Sequence, residues 1–238
     1  MNGESKTPST RNYWVVIPAA GSGSRMQADI PKQYLQIADK TILERSIECF
    51  IDHPAIKGIV LAISKDDAYW PDIADKFPNV ITVEGGKERF QSVLNGLKEL
   101  SEKANADDWV LVHDAARPCL RRSDIDKLMS TLSQHSVGGL LGLPMADTVK
   151  RCEGNGAVVK TVPRHDLWRA LTPQMFRLEA LILALEHALA NKATVTDEAS
   201  AMERMGLQPQ MVTGHSDNIK VTHPEDLELA CLYLSARR

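Results

Sequence analysis

Between Pro18 and Lys32 the chain reads PAAGSGSRMQADIPK, and this stretch gathers residue types that handle a phosphate chain. Gly21 and Gly23 carry no Cβ, so the backbone there can approach phosphate oxygens closely. Consecutive backbone N–H groups in such a loop form an anion nest. Arg25 and Lys32 add two cations, one a planar fork and the other a compact point charge. Two commoner phosphate loops are excluded by particular residues. A GxGxxG dinucleotide fingerprint needs glycine where Met26 stands. A Walker A loop needs Gly-Lys-Ser/Thr where Ser24-Arg25-Met26 stands.

Four further segments carry side chains suited to polyanion chemistry. VHDAARP (Val112 to Pro118) follows a β-branched run and places Asp114 and Arg117 at its carboxyl end, where open α/β sheets bind ligands. Asp114 suits either accepting substrate hydroxyls or helping to hold a cation, and Arg117 suits a phosphate. His113 reads as a structural residue at the strand end. PRHDLWRALTPQ (Pro163 to Gln174) offers Arg164, Arg169 and Thr172 as donors, with Leu167, Trp168 and Leu171 as packing. Thr196-Asp197-Glu198 reads as a helix cap. GHSDNIKV (Gly214 to Val221) places Lys220 in a short strand. No Ser-His-Asp or Cys-His set stands out.

The elements that must hold these segments alternate in type. Tyr13 to Pro18 is a buried β-branched strand running into the glycine-rich turn. Ile42, Leu43, Ile47, Phe50 and Ile51 recur at helical spacing until His53-Pro54. Strands follow over Gly58 to Ile63, Val80 to Val83, Trp109 to His113 and Gly138 to Pro144. Between them lie a stretch toward Lys76 interrupted near Pro71, a helix after Glu88 with Val93, Leu94, Leu97 and Leu100 on one side, and a helix capped by Ser123 with Asp126 three residues on. This rhythm implies a Rossmann-like, mostly parallel twisted sheet with helices on both faces.

The rhythm breaks at Thr148 to Val162, two strands around Glu153-Gly154-Asn155-Gly156. A hairpin there, about residues 146–162, is expected to project as an arm, with a fold-back onto its own sheet as the alternative. Arg177 to Asn191 is helical and rich in apolar residues, hence buried. Gln210 to Thr213 and Asn218 to Val221 read as strands. Thr222-His223-Pro224-Glu225 reads as a capping box opening the last helix. Residues 1–12 are polar and expected to be a disordered tail; residues 13–238 are expected to form a single domain bearing the arm.

Composition narrows the function. The net charge of −3 over 238 residues excludes a nucleic-acid binder by overall electrostatics. No apolar run reaches the ~20 residues that span a bilayer. Cys49, Cys119, Cys152 and Cys231 are far apart and form no CxxC pair, which excludes a zinc ribbon and fits four buried or half-buried thiols in a reducing compartment, the cytoplasm.

PAAGSGSRM…PKQY, VHDAARP, LWRALTPQ, TDEASAME and DNIKVTHPEDLELA occur in this order. From about Trp14 to about Leu234 the chain resembles the 2-C-methyl-D-erythritol 4-phosphate cytidylyltransferase family. The resemblance implies that a substrate phosphate oxygen attacks the α-phosphorus of CTP and pyrophosphate leaves, with Mg²⁺ held mainly by the CTP phosphates. It implies Arg25, Lys32 and Lys220 as catalytic cations, and Pro18, Ala19, Ala20, Gly21 and Gly23 as the loop around CTP. Gly86 and Ser92 would read cytosine; Lys87 stands where many members carry an acidic or small residue. Asp114, Arg117, Thr148, Arg164, Thr172 and Thr196 would bind the alcohol phosphate, with Asp114 a possible metal contact. A homodimer joined through the hairpin arm is implied too. The alternatives are a cytidylyltransferase for ribitol 5-phosphate or another polyol phosphate, and a non-catalytic nucleotide-binding protein.

Overall fold

The computed structural model describes residues 12–21, 26 and 30–237. In chain order the elements are β1 (Tyr13–Pro18), β2 (Gln36–Ile37), β3 (Lys40–Thr41), α1 (Ile42–Ile51), β4 (Ile56–Ile63), α2 (Pro71–Ala74), β5 (Val80–Glu84), α3 (Arg89–Ser101), β6 (Trp109–Val112), α4 (Arg122–Leu132), β7 (Gly138–Pro144), β8 (Val149–Cys152), β9 (Val158–Val162), β10 (Trp168–Arg177), α5 (Leu178–Ala190), α6 (Glu198–Arg204), β11 (Gln210–Thr213) and α7 (Pro224–Ser235). A 3-10 turn over Lys32–Tyr34 precedes β2.

Seven strands form one sheet in the order β11-β7-β10-β6-β1-β4-β5. All neighbours pair parallel except β10, which runs antiparallel between β6 and β7. Alternation at period two explains how the strands bury both faces. Val15, Ile17, Ile59, Leu61, Trp109 and Leu111 point to a layer made by α1, α2 and α4. Val16, Val60, Val110 and Val112 point to the opposite layer, made by α3, α5 and α6. The helices thus cover both faces, as the strand–helix rhythm implies. Among the described residues no helix is long and apolar enough to cross a membrane.

Several local expectations are corrected. Residues 168–174, read as donors and packing, belong to the ten-residue strand β10, which also takes in Arg177, expected to open the helix. Its pairing with β7 is irregular between Ala170 and Gln174, around a cis Thr172–Pro173 peptide. Asn218 to Val221 pairs with no strand among the described residues; the Val221 N–H and the Asn218 carbonyl bond to Ala116 and Arg117 instead. Arg121, not Ser123, precedes α4, and Ser123 lies within the first turn. The carboxylate that caps α7 is Asp226, which accepts the backbone N–H groups of Thr222 and His223, one residue later than expected. In α5 the buried face is Leu178, Leu181, Ala184, Leu185 and Ala188, while Leu183 and Leu189 are exposed. Trp168 and Cys152 are exposed as well. The hairpin β8–β9 forms a separate two-stranded sheet.

Where β6 ends, a buried polar chain fixes the exit of the strand. Gln174 is opposite Val112, so Thr172 comes beside Asp114. The Asp114 backbone N–H donates to Thr172 Oγ1 at 3.1 Å. His113 Nε2 lies 3.0 Å from the carbonyl oxygen of Arg117, an acceptor, so Nε2 carries the proton. The Thr172 hydroxyl then donates to the bare Nδ1 at 3.0 Å. His113 is fully buried, and burial lowers its pKa to about 4. The ring is therefore neutral in the folded protein at neutral pH, as its structural role requires.

Between about pH 6.5 and 4 the unfolded chain takes up a proton at this ring that the folded chain refuses, so stability falls as pH falls through that window. The effect is on the order of 3 kcal/mol across the window. Urea denaturation at pH 7 and pH 4.5 should show His113→Gln losing less stability on acidification than the unsubstituted protein, although it is less stable at pH 7. Equal acid losses in the two would refute this account of the ring.

Candidate functional site

The glycine-rich turn leaves the carboxyl end of β1 at the centre of the sheet. The Ala19 N–H donates to the Ala62 carbonyl at 2.7 Å, which extends the pairing with β4 by one residue. Gln33 of the 3-10 turn is buried and donates from Nε2 to the Ala19 carbonyl at 2.7 Å. This bond ties the far end of the loop, where Lys32 sits, back to its start. Gly23 and Arg25 lie outside the described residues.

Two further segments meet this loop. After β5 the Gly85 N–H donates to the Ile63 carbonyl, and Gly86 N–H donates to Ser92 Oγ at 3.0 Å. Glycine is required at both positions. A Cβ on Gly85 would sit 2.3 Å from Ala20 Cβ, and one on Gly86 would sit 2.3 Å from Gln91 Cβ. From the other end of the chain, residues 217–222 are laced onto the loop after β6. The Val221 N–H donates to the Ala116 carbonyl, Arg117 Nη1 donates to the Asn218 carbonyl, and Asn218 Nδ2 donates to the Thr172 carbonyl, each at 2.8 Å. Lys32 Nζ donates to the Val221 carbonyl at 3.2 Å. The segment is clasped from behind by Asp217, whose carboxylate accepts from Arg121 and Arg237.

Two adjoining cavities result. The first, about 380 Å³, is lined by Pro18 to Gly21, Lys32, Gln33, residues 86–89, Ser92, Asp114 to Ala116, Lys220 and Thr222. Among the described lining residues, Lys32, Lys87, Arg89 and Lys220 outnumber the acidic Glu88 and Asp114, so the cavity favours an anion. The second, about 300 Å³, is lined by Arg117, Ala170 to Thr172, Gln174, Thr196 and Asp197. Arg89, Asp114 and Lys220 line both.

The shared wall is an ion network. Arg89 Nε donates to Asp114 Oδ1 at 2.7 Å, and Lys220 Nζ donates to Oδ2 at 2.8 Å. Arg117 Nε stands 3.6 Å from the same Oδ2. Burial alone would raise the Asp114 pKa, but Arg89, then Lys220 and Arg117, hold it well below the usual carboxylate range. Asp114 therefore stays ionised and holds the Lys220 ammonium and the Arg89 guanidinium at the wall between the cavities.

Of the expected site residues, the structure brings together Pro18, Ala19, Ala20, Gly21, Lys32, Gly86, Ser92, Asp114, Arg117, Thr172, Thr196 and Lys220. It does not bring Thr148 and Arg164 to either cavity. Both are exposed at the base of the hairpin, where Arg164 Nη1 donates to the Ala146 carbonyl. Arg89, Gln33 and Asn218 were missed. Arg89 had a readable signal: it opens a helix, where the dipole disfavours a cation, so it needs a carboxylate partner from elsewhere.

Two cavities separated by cations suit two anionic substrates whose reacting groups meet at the wall. Comparisons with known proteins give the family. Residues 13–236 match the family described as 2-C-methyl-D-erythritol 4-phosphate cytidylyltransferase. A protein of that name from Pseudomonas fluorescens (strain Pf0-1) is 55% identical over 218 residues, 91% of this chain and 93% of its own. One from Hahella chejuensis is 53% identical over 222 residues, 93% and 92% of the two chains. Among solved structures, the Francisella tularensis protein of the same name superposes with a TM-score of 0.81 at 40% identity, covering 93% of this chain and 99% of that one. The chain belongs to the 2-C-methyl-D-erythritol 4-phosphate cytidylyltransferase family.

Proposed function

We propose that this protein transfers CMP from CTP to 2-C-methyl-D-erythritol 4-phosphate in the non-mevalonate route to isoprenoid precursors. The observation that carries the reading is the pair of adjoining cavities with Lys220, Asp114 and Arg89 common to both. CTP occupies the first cavity. Its base lies toward Gly86 and Ser92, and its triphosphate lies along Ala19 to Gly21. The alcohol phosphate occupies the second, its hydroxyls toward Asp114 and its polar groups toward Arg117, Thr172 and Thr196.

An oxygen of the acceptor phosphate forms the new bond to the α-phosphorus. The bond from that phosphorus to the oxygen bridging to the β-phosphorus breaks, and pyrophosphate departs with the electron pair, giving 4-diphosphocytidyl-2-C-methyl-D-erythritol. The nucleophile is already an anion, so the protein's task is in-line placement and charge neutralisation. Lys32 and Lys220, with Arg25 of the glycine-rich loop, supply that neutralisation where charge accumulates.

No three His, Cys, Asp or Glu side chains among the described residues gather into a metal cage. Both Asp114 oxygens already accept from cations. This donor set suits a Mg²⁺ that keeps most of its waters and is carried on the CTP phosphates. There it would lower the phosphate charge that the attacking anion meets.

The hairpin supports a shared site. Val158 and Val159 are 60% and 55% exposed on it, and Trp168 at its base is 38% exposed, an apolar surface that a second copy would cover. In this reading the partner's arm supplies Thr148 and Arg164 to the second cavity of a homodimer. The four unpaired thiols suit a reducing cytoplasm.

Three measurements test the reading. Pyrophosphate release from CTP and Mg²⁺ should require 2-C-methyl-D-erythritol 4-phosphate; ribitol 5-phosphate should give little. Preference for ribitol 5-phosphate would change the substrate, and tight CTP binding without release on any acceptor would leave a nucleotide-binding protein. Lys32→Ala should lower kcat by roughly 100- to 1,000-fold with an unchanged circular dichroism spectrum; near-normal turnover would misplace the cation. Inactive Lys32→Ala and Arg164→Ala chains, mixed in equal amounts under subunit exchange, should regain roughly a quarter of full activity, since half the dimers then hold one intact site. No recovery in dimers proven to exchange would rule out the shared site.

A further inference from the structure

Glu198 has no place in the roles above, yet it ends the chain of charges that forms the wall between the cavities. It opens α6 and is fully buried. Its two carboxylate oxygens accept from Arg89 Nη1 at 2.6 Å and Nη2 at 3.1 Å. The third Arg89 nitrogen, Nε, donates to Asp114 Oδ1, and the other Asp114 oxygen takes Lys220. Glu198, Arg89, Asp114 and Lys220 thus alternate in sign across α6, α3, the end of β6 and the segment after β11.

We propose that Glu198 is a positioning residue for the transfer: by holding the fork of Arg89 it keeps one Asp114 oxygen for Lys220 and for the acceptor hydroxyls. The identity of the two ligands rests on the function proposed above; the ionic chain itself does not.

Three observations carry the argument. First, stability does not explain Arg89. A buried ion pair is often no better than apolar residues of the same size, and a cation at the start of a helix works against the dipole. Second, the pair is bidentate, the geometry that fixes the plane of a guanidinium. That plane decides which Asp114 oxygen Nε reaches. Third, Asp114 has two oxygens and three cations around it, so its contacts compete. Without the negative charge of Glu198, the fork of Arg89 turns onto Asp114 and takes both oxygens. Lys220 then loses its anchor at the reacting phosphorus, and the acceptor loses its hydroxyl partner. The base end of the first cavity, at Gly86 and Ser92, is untouched. Burial opposes the Arg89 charge, but Glu198 and then Asp114 hold its pKa well above the ordinary value, so the guanidinium is charged in this exchange.

The test uses the full chain with Glu198→Gln, which keeps shape and loses charge. Arg89→Lys, which keeps charge and loses the fork, gives the same readouts should the first variant not fold. One readout is independent of turnover: the rate at which an amine-acylating reagent labels Lys220 in ligand-free protein, normalised to exposed Lys57. It should rise several-fold. The second is steady-state kinetics. The KM for the acceptor should rise roughly tenfold and kcat should fall, while the KM for CTP stays within about twofold. The double variant should be no worse than the poorer single one, because both act through one contact. Unchanged Lys220 labelling, or an equal rise of both KM values with a lowered Tm, would overturn the assignment. If the unsubstituted protein turns over no acceptor, the function above fails, and the labelling alone decides for or against the ionic chain.

Discussion

A carboxylate taken out of water must be met by cations, and the site is organised around that requirement at Asp114. It is 7% exposed and is met by Arg89, Lys220 and Arg117. These residues come from the start of α3, from the segment after β11 and from the same loop as Asp114. One buried negative charge therefore draws three parts of the chain to the carboxyl end of β6. The two cavities exist because the side chains that neutralise Asp114 stand between them. Since the network carries more positive than negative charge toward the cavities, the arrangement that compensates Asp114 also attracts phosphates.

The backbone supports this arrangement by accounting for its own polar groups. Residues 217–222 belong to no sheet, so their amides and carbonyls must be paired individually. They bond to Ala116, Arg117, Lys32 and Thr172, which are all neighbours of the wall. The Asp217 clasp, with Arg121 and with Arg237 beyond α7, holds the segment from the opposite side. Lys220 is consequently a residue on an irregular segment that is hydrogen-bonded on one side and ion-paired on the other. Its position depends on chain far from it in sequence.

How much of this was readable from the residues depended on how local the cause was. The parallel strands β1, β4, β6 and β7 were visible because burial on both faces writes them as short continuous apolar runs between turns. The hairpin β8–β9 was visible because Gly154 and Gly156 mark its turn. β10 was hidden. Pro173 and the charged Arg169 and Arg177 interrupt its pattern, and its exposed half beside the arm differs from its buried half in the sheet. Lys32 and Asp114 were found through the strand-end loops that carry them, and Lys220 only through its whole motif. Glu198 could be read only as part of a helix cap, because its partner Arg89 lies 109 residues away and a contact at that distance leaves no periodicity.

β10 has a consequence for how the chain can change length. It begins beside the arm and ends between β6 and β7, with Thr172 midway. Side chains alternate faces where the pairing is regular, so one residue added or lost within Gln174 to Arg177 would invert the positions beside it, whereas the irregular stretch between Ala170 and Gln174 already interrupts the alternation. Met175 and Phe176 would then exchange layers. The arm can be lengthened or trimmed at its turn, around residues 153–157, where glycines and exposed side chains carry no register. The regular stretch from Gln174 to Arg177 behaves as a ruler with two-residue marks, and the irregular stretch before it is the joint that lets the arm and the site keep separate registers.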